Sequence, residues 1–176
     1  MAFNQVEDPS TIDGLPELLQ SYDEKGAPDP NLFMALGQRP EIAQTFSEHW
    51  DATFFDGVVD HNLKELVRLH LSTLNGCNYC GSIGSNLAAE QGLSDEKAGA
   101  LDDFETDSRF SERERVALRF AEAFHENEHD YEVLADQFSE EEIIELVWFM
   151  GLCDGLGRVV AKTDLSACRI PVEELH

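Results

Sequence analysis

Two cysteines three positions apart, Cys77 and Cys80 in NGCNYCGSIG, carry the clearest chemistry of this chain. Two residues between the thiols let the side chains meet across one turn, so the pair can cycle between dithiol and disulfide. Asn75-Gly76 reads as a break, and a helix is expected to start at the cysteines. At a helix start the free N–H groups and the positive end of the dipole favour a thiolate, which makes the sulfur nucleophilic near neutral pH. The four cysteines stand at 77, 80, 153 and 168. Two other readings of the pair stay open. One is a zinc site, although such a site usually needs a second close pair and Cys153 and Cys168 are far apart. The other is a pair of buried, inert thiols.

The elements that must position these thiols are helical. From Asn31 onward apolar residues recur with helical spacing and no stretch alternates with period two, so the fold class is all-α. Start and stop signals give a short helix from Asn31 to Leu36 and one from Pro40 to about Phe55. A third, capped by Asp60, runs from His61 to Leu74 with Leu63, Leu66, Val67, His70 and Leu74 on one face. A fourth is expected from the cysteines to about Glu90 and a fifth from Ser94 to near Phe104. Ser111 with Glu114 forms a capping-box pattern for a helix to about Phe124. Tyr131 to Phe138, a Ser139-capped helix to Met150 and a last one after Gly155 and Gly157 through Lys162 complete the set. Residues 1–30, rich in Pro and Gly, read as an arm lying on the body or on a neighbouring subunit, with one short turn of helix from Glu17 to Tyr22. The domain organisation is then an arm (1–30), one helical domain (31–165) and a tail (166–176).

The length of 176 residues suits one domain. With 36 acidic and 12 basic residues the formal net charge is −24. Such a surface repels nucleic acid and anionic lipid. Its self-repulsion is relieved at about 1 M salt, where the Debye length is only about 3 Å. The acids are spread through most helices, so the acidity reads as adaptation to a high-salt cytoplasm rather than as an acidic binding face. No apolar run has the length of about 18 residues that a span requires, and no membrane partner is expected. MAFNQVEDPSTIDG has neither a basic n-region nor an apolar h-region, so the expected address is cytoplasmic.

A further spacing narrows the reading. Glu65 stands twelve positions before Cys77, within DGVVDHNLKELVRLHLSTLNGCNYCGSIGSNLAAEQG. This stretch resembles the core motif of the carboxymuconolactone decarboxylase and alkylhydroperoxidase D-like superfamily, in its CxxC branch. ALGQRPEIAQTF, FSERERVALRFAEAF and FSEEEIIELVWFMGLCDGLGR extend the resemblance over Asn31 to Val160. It implies a single-domain helical bundle acting as a thiol-dependent peroxidase or disulfide oxidoreductase. Cys80 is then the attacking thiol, Cys77 its resolving partner and Glu65 the proton acceptor. A peroxide or small disulfide is the substrate, an external dithiol the reductant, and the assembly a homotrimer or homohexamer. No organic or metal cofactor is implied.

One position departs from the family pattern. Where the family carries His, four residues after the second cysteine, this chain has Gly84, so the relay from glutamate through His to the thiols lacks a link. His70 is the candidate substitute base, although a histidine on an apolar helix face also reads as core packing. Arg158 matches a position the family often keeps basic and reads as a structural ion pair, and Tyr79 as a pocket wall. The glycines at 81 and 84 suggest close approach of another helix or of a ligand. A catalytically impaired scaffold or redox sensor of the same fold is the alternative function. Decarboxylation of a lactone acid is less favoured, because that branch does not rely on a CxxC pair.

Overall fold

Proline and short polar caps set the helix starts, because the first N–H groups of a helix lack intrahelical partners and proline has none to lose. Leu15–Glu24 (α1) has Pro16 in its first turn. Pro30–Leu36 (α2) begins behind Asp29, whose carboxylate accepts from Leu32 N at 3.2 Å. Pro40–Trp50 (α3) runs into one wide π-type turn, Asp51–Phe55. Asp60 caps His61–Leu74 (α4) through Leu63 N at 3.1 Å. Asn78–Ser82 (α5), Asn86–Glu90 (α6) and Asp95–Ala98 (α7) are short. Glu112–His125 (α8) and Glu140–Thr163 (α9) are long. This computed structural model describes residues 4–27, 29–128, 131–163 and 165, among which there is no strand. The chain is all-α.

Helix α4 is central and packs on both α8 and α9. Its Leu63, Leu66, Val67 and Leu71 are buried against Leu118 and Ala121 of α8 and Phe149 and Met150 of α9 in one core. Each of these Leu, Val, Phe and Met side chains contributes about 1.5–3 kcal/mol when fully buried. Phe54, from the π-type turn, stacks on Phe149 with ring centroids 5.4 Å apart. The same turn is held by the buried Lys64, whose Nζ donates to Thr53 O and to Glu145 Oε1, both at 2.9 Å. Glu145 also accepts from Val58 N and Val59 N. A Cβ at Gly57 would lie 2.0 Å from Glu145 Oε1, so a side chain there would displace the carboxylate where it crosses the chain.

Several elements differ from their expected form. The segment before α2 is more than an arm with one turn of helix, since α1 has ten residues and its Leu15 and Tyr22 are buried in the main core. Val6 N also donates to Met34 O at 2.9 Å. The helix expected from 94 to 104 stops at Ala98 and resumes as a 3-10 turn, Leu101–Asp103. The segment from Tyr131 keeps only a 3-10 turn to Leu134. Conversely, the two C-terminal helices are one, because α9 runs unbroken through Gly151, Gly155 and Gly157. Burial of Phe149, Met150, Cys153 and Val160 along its length outweighs a glycine cost of about 1 kcal/mol each. The Ser111–Glu114 capping box is present with both reciprocal bonds. Cys168 and the 166–176 tail lie outside the described residues.

Candidate active site

Gly76, with φ +61°, ends α4 in a left-handed turn that lets Cys77 N donate back to Ser72 O at 2.9 Å. Cys77 thereby becomes the N-cap of α5, its Sγ accepting from Cys80 N at 3.2 Å. The two cysteines are joined as a disulfide, with Cα atoms 5.4 Å apart. Cys77 is buried among Leu32, Val160 and Leu165, whereas Cys80 is half-buried and lines a cavity.

Helix α5 does not continue to Glu90 as expected, and Glu65 and Arg68 of α4 supply the reason. A continuing helix would use the carbonyls of Cys80 and Ile83 and the N–H of Ser85. Arg68 instead donates Nη1 to Cys80 O at 2.7 Å and Nη2 to Ile83 O. Ser85 N donates to Glu65 Oε1 at 3.0 Å. The chain therefore unwinds over 83–85 and restarts as α6, capped by Ser85. Gly84 sits in this unwound link and not one helical turn beyond Cys80 on a shared face. A Cβ there would meet nothing within 4 Å, whereas one at Gly81 would lie 3.3 Å from Ser72 Oγ. Close helix approach thus accounts for Gly81 alone.

Glu65 is 1% exposed. Arg68 forks onto it, Nε to Oε2 at 2.7 Å and Nη2 to Oε1 at 2.8 Å. Burial opposes the guanidinium's charge, but the adjacent carboxylate outweighs it and raises the Arg68 pKa. Across the cavity the Tyr79 hydroxyl donates to Asp29. Burial pushes the Asp29 carboxyl above its usual range, against the opposing pull of Tyr79, Leu32 N and Arg68. Tyr79 is raised as well, first by its own burial and then by Asp29. Phe33, Phe46, Trp50 and Phe54 line the same cavity. It therefore brings a sulfur, a buried ion pair and a wall of aromatic rings together.

The other residues singled out from the sequence fall in different places. His70 does not line the cavity; it packs between α4 and α8, Nε2 bonded to Glu122 at 3.0 Å and its ring edge on Phe104. Arg158 pairs with Asp154 one turn back at 2.8 Å, an ion pair within α9. Tyr79 does form a wall of the cavity. Cys153 is a buried free thiol that also faces the cavity, and burial pushes its pKa up. Among the described residues no group of three or more His, Cys, Asp or Glu is placed to hold a metal ion.

A pair at the cavity escaped the sequence reading. The buried His61 bonds through Nδ1 to Phe54 O at 3.0 Å and through Nε2 to Ser85 Oγ at 2.9 Å, and Ser85 lines the cavity with Cys80. The available signal was His61 one helical turn before Glu65, which puts both on one face of α4.

Comparison with known proteins agrees with this fold. Residues 40–123 match the carboxymuconolactone decarboxylase family. YnjA, an uncharacterized protein of Escherichia coli, is 30% identical over 121 residues, which span 64% of this chain and 66% of that protein. The crystal structure of the debrominase Bmp8 aligns over 98% of this chain and 97% of its own, with a TM-score of 0.79 and 24% identity. A Bmp8 variant in complex with 2,3,4-tribromopyrrole covers all of both chains at TM-score 0.76 and 23% identity. An uncharacterized peroxidase-related protein of Ralstonia eutropha, with an alkylhydroperoxidase D core, aligns over 99% of this chain and 94% of its own at 0.75 and 21%. At these identities the structural likeness is one of fold.

Proposed function

Because residues 40–123 match the carboxymuconolactone decarboxylase family and the chain shares the fold of a protein with an alkylhydroperoxidase D core, we propose that it is a thiol-dependent peroxidase or disulfide oxidoreductase cycling Cys77 and Cys80. The observation that carries this reading is the Cys77–Cys80 disulfide, with only Cys80 turned to the cavity. In the reduced form the Cys80 thiolate attacks a peroxide oxygen, the O–O bond breaks and the departing oxygen takes a proton to leave as alcohol or water. The resulting sulfenic acid condenses with the Cys77 thiol, releasing water and forming the disulfide. An external dithiol then supplies two electrons and two protons to restore the pair.

Glu65 has a different task here from proton acceptor. Both its oxygens are already engaged as acceptors, by Arg68 and by Ser85 N. It anchors the unwound link and fixes Arg68 under the Cys80 carbonyl. The single turn of α5 also contributes a smaller dipole than a long helix would. The test is the Cys80→Ser variant in molar KCl. Peroxide-dependent loss of thiol should vanish, and undiminished peroxide consumption would exclude the scheme.

The aromatic wall favours a second reading. Phe33, Phe46, Trp50 and Phe54 form a surface on which a small planar ring can stack, and a relative in fold is a debrominase. The same dithiol can remove halogen reductively: aryl halide and two thiols give arene, disulfide, halide and a proton. Bromide release from a bromopyrrole by the reduced protein, against hydrogen peroxide under the same conditions, separates the two substrates.

A further inference from the structure

On the reading that Cys80 is the attacking thiol, we infer that His61 and Ser85 are the proton-transfer pair of the site, taking the place that the absent side chain at Gly84 leaves vacant. The tautomer follows from the partners. Phe54 O can only accept, so His61 Nδ1 carries the hydrogen, and the neutral ring presents a bare Nε2 to the Ser85 hydroxyl. Ser85 Oγ accepts from Ala88 N at 3.2 Å, which orients its own hydrogen toward His61. Ser85, Gly84 and Cys80 all line the cavity, and a Cβ at Gly84 would meet nothing within 4 Å. Glu65 holds the Ser85 backbone, so the ion pair positions the hydroxyl.

Burial lowers the His61 pKa, keeping the ring neutral and ready to accept. Phe54 and Phe55 pack on its ring, and Phe54 O bonds its Nδ1. Its charged neighbours on α4 are Glu65 and Asp60, which favour imidazolium, and Lys64, which opposes it while paired to Glu145 of α9. From the start of α6 the facing group is the neutral Ser85. The Cys80 proton passes through an oxygen in the open space to Ser85 Oγ, whose own proton moves to His61 Nε2. The thiolate electron pair forms the S–O bond as the O–O bond breaks. The leaving oxyanion recovers the proton by the same route, so sulfur is oxidised, peroxide is reduced and no net proton is consumed.

The test compares wild type with His61→Gln, Ser85→Ala and Ser85→Thr. For each reduced protein in molar KCl, hydrogen peroxide turnover with dithiothreitol and the iodoacetamide alkylation rate of Cys80 are followed against pH. His61→Gln and Ser85→Ala should each lower turnover about 100-fold, the scale of a lost acid–base group. They should also erase the acidic limb of the profile and move Cys80 alkylation to higher pH. Ser85→Thr, which keeps the hydroxyl and the α6 cap, should stay within about threefold of wild type on that scale. Unchanged profiles in His61→Gln overturn the pair, as does a lower rate of unchanged profile shape that tracks a lowered melting temperature. Should wild type not consume peroxide, the peroxidase reading fails, and the alkylation profiles alone decide the pair: superimposable curves overturn it.

Discussion

A Cβ added at Gly84 meets no atom within 4 Å, and the glycine is not in the left-handed region. A larger side chain is therefore accommodated at 84 with little change in stability. With Ser85 at the cavity and His61 bonded to its hydroxyl, Gly84→His should raise peroxide turnover of the wild type only slightly. In the His61→Gln background the same substitution should restore most of the lost rate, since the new imidazole enters the same open space. Turnover of the double variant against His61→Gln alone checks this; no recovery would mean that an imidazole at 84 cannot serve the thiols. The two cysteines divide along similar lines. Cys77 is packed among Leu32, Val160 and Leu165, whereas Cys80 has both an exposed flank and a carbonyl held by Arg68.

At the scale of elements, α9 holds the cysteine turn in place. A Cβ at Gly157 would lie 2.8 Å from Asn75 Nδ2, so the glycine permits α9 to approach the end of α4. Three residues earlier, Asp154 accepts from Asn75 Nδ2 at 3.0 Å, His125 Nδ1 at 2.6 Å and Arg158 Nε at 2.8 Å. One carboxylate thus joins the ends of α4 and α8 to α9. Burial works to raise its pKa, but Arg158, His125 and Asn75 outweigh that and hold it below the usual carboxylate value. A depressed carboxylate stabilises the fold at pH values above its unfolded pKa of about 3.9 and loses that contribution as pH falls through the folded value. Asp154→Asn should accordingly cost about 1–3 kcal/mol at pH 7. The difference from wild type should shrink steadily below about pH 4. Urea unfolding at pH 7 and at stepwise lower pH measures both; a gap that persists in acid would refute the assignment.

At the scale of the whole molecule, most cations among the described residues are already committed. Among the described residues every Lys and Arg other than Lys162 sits in an ion pair, from Lys25 with Asp51 to Arg158 with Asp154. The surplus behind the net charge of −24 is therefore uncompensated. Exposed pairs contribute about 0–1 kcal/mol each, too little to offset long-range repulsion among so many carboxylates. The melting temperature should rise as KCl increases from millimolar to molar, since screening removes more repulsion than attraction. A midpoint that fell over that range would contradict the high-salt reading. No helix among the described residues is long and apolar enough to cross a membrane.

Local signals determined much of this protein. The start of α4 at Asp60, its end at Asn75-Gly76, and the Ser111 and Ser139 caps needed only their nearest neighbours, so they were legible in the sequence. The Glu65 to Cys77 spacing likewise carried the resemblance to the superfamily. Tertiary contact decided the rest. The glycine-bearing helix α9 stays whole because its neighbours bury it, which no local propensity records. The helix expected after the cysteines breaks because Arg68 and Glu65, more than ten positions upstream, take the hydrogen bonds it needs. That break turns Ser85 to the cavity with its hydroxyl bonded to His61 behind it, whereas His70 is committed to packing against α8. A backbone group has one set of partners to choose, and only the folded chain shows which side chains reach it first.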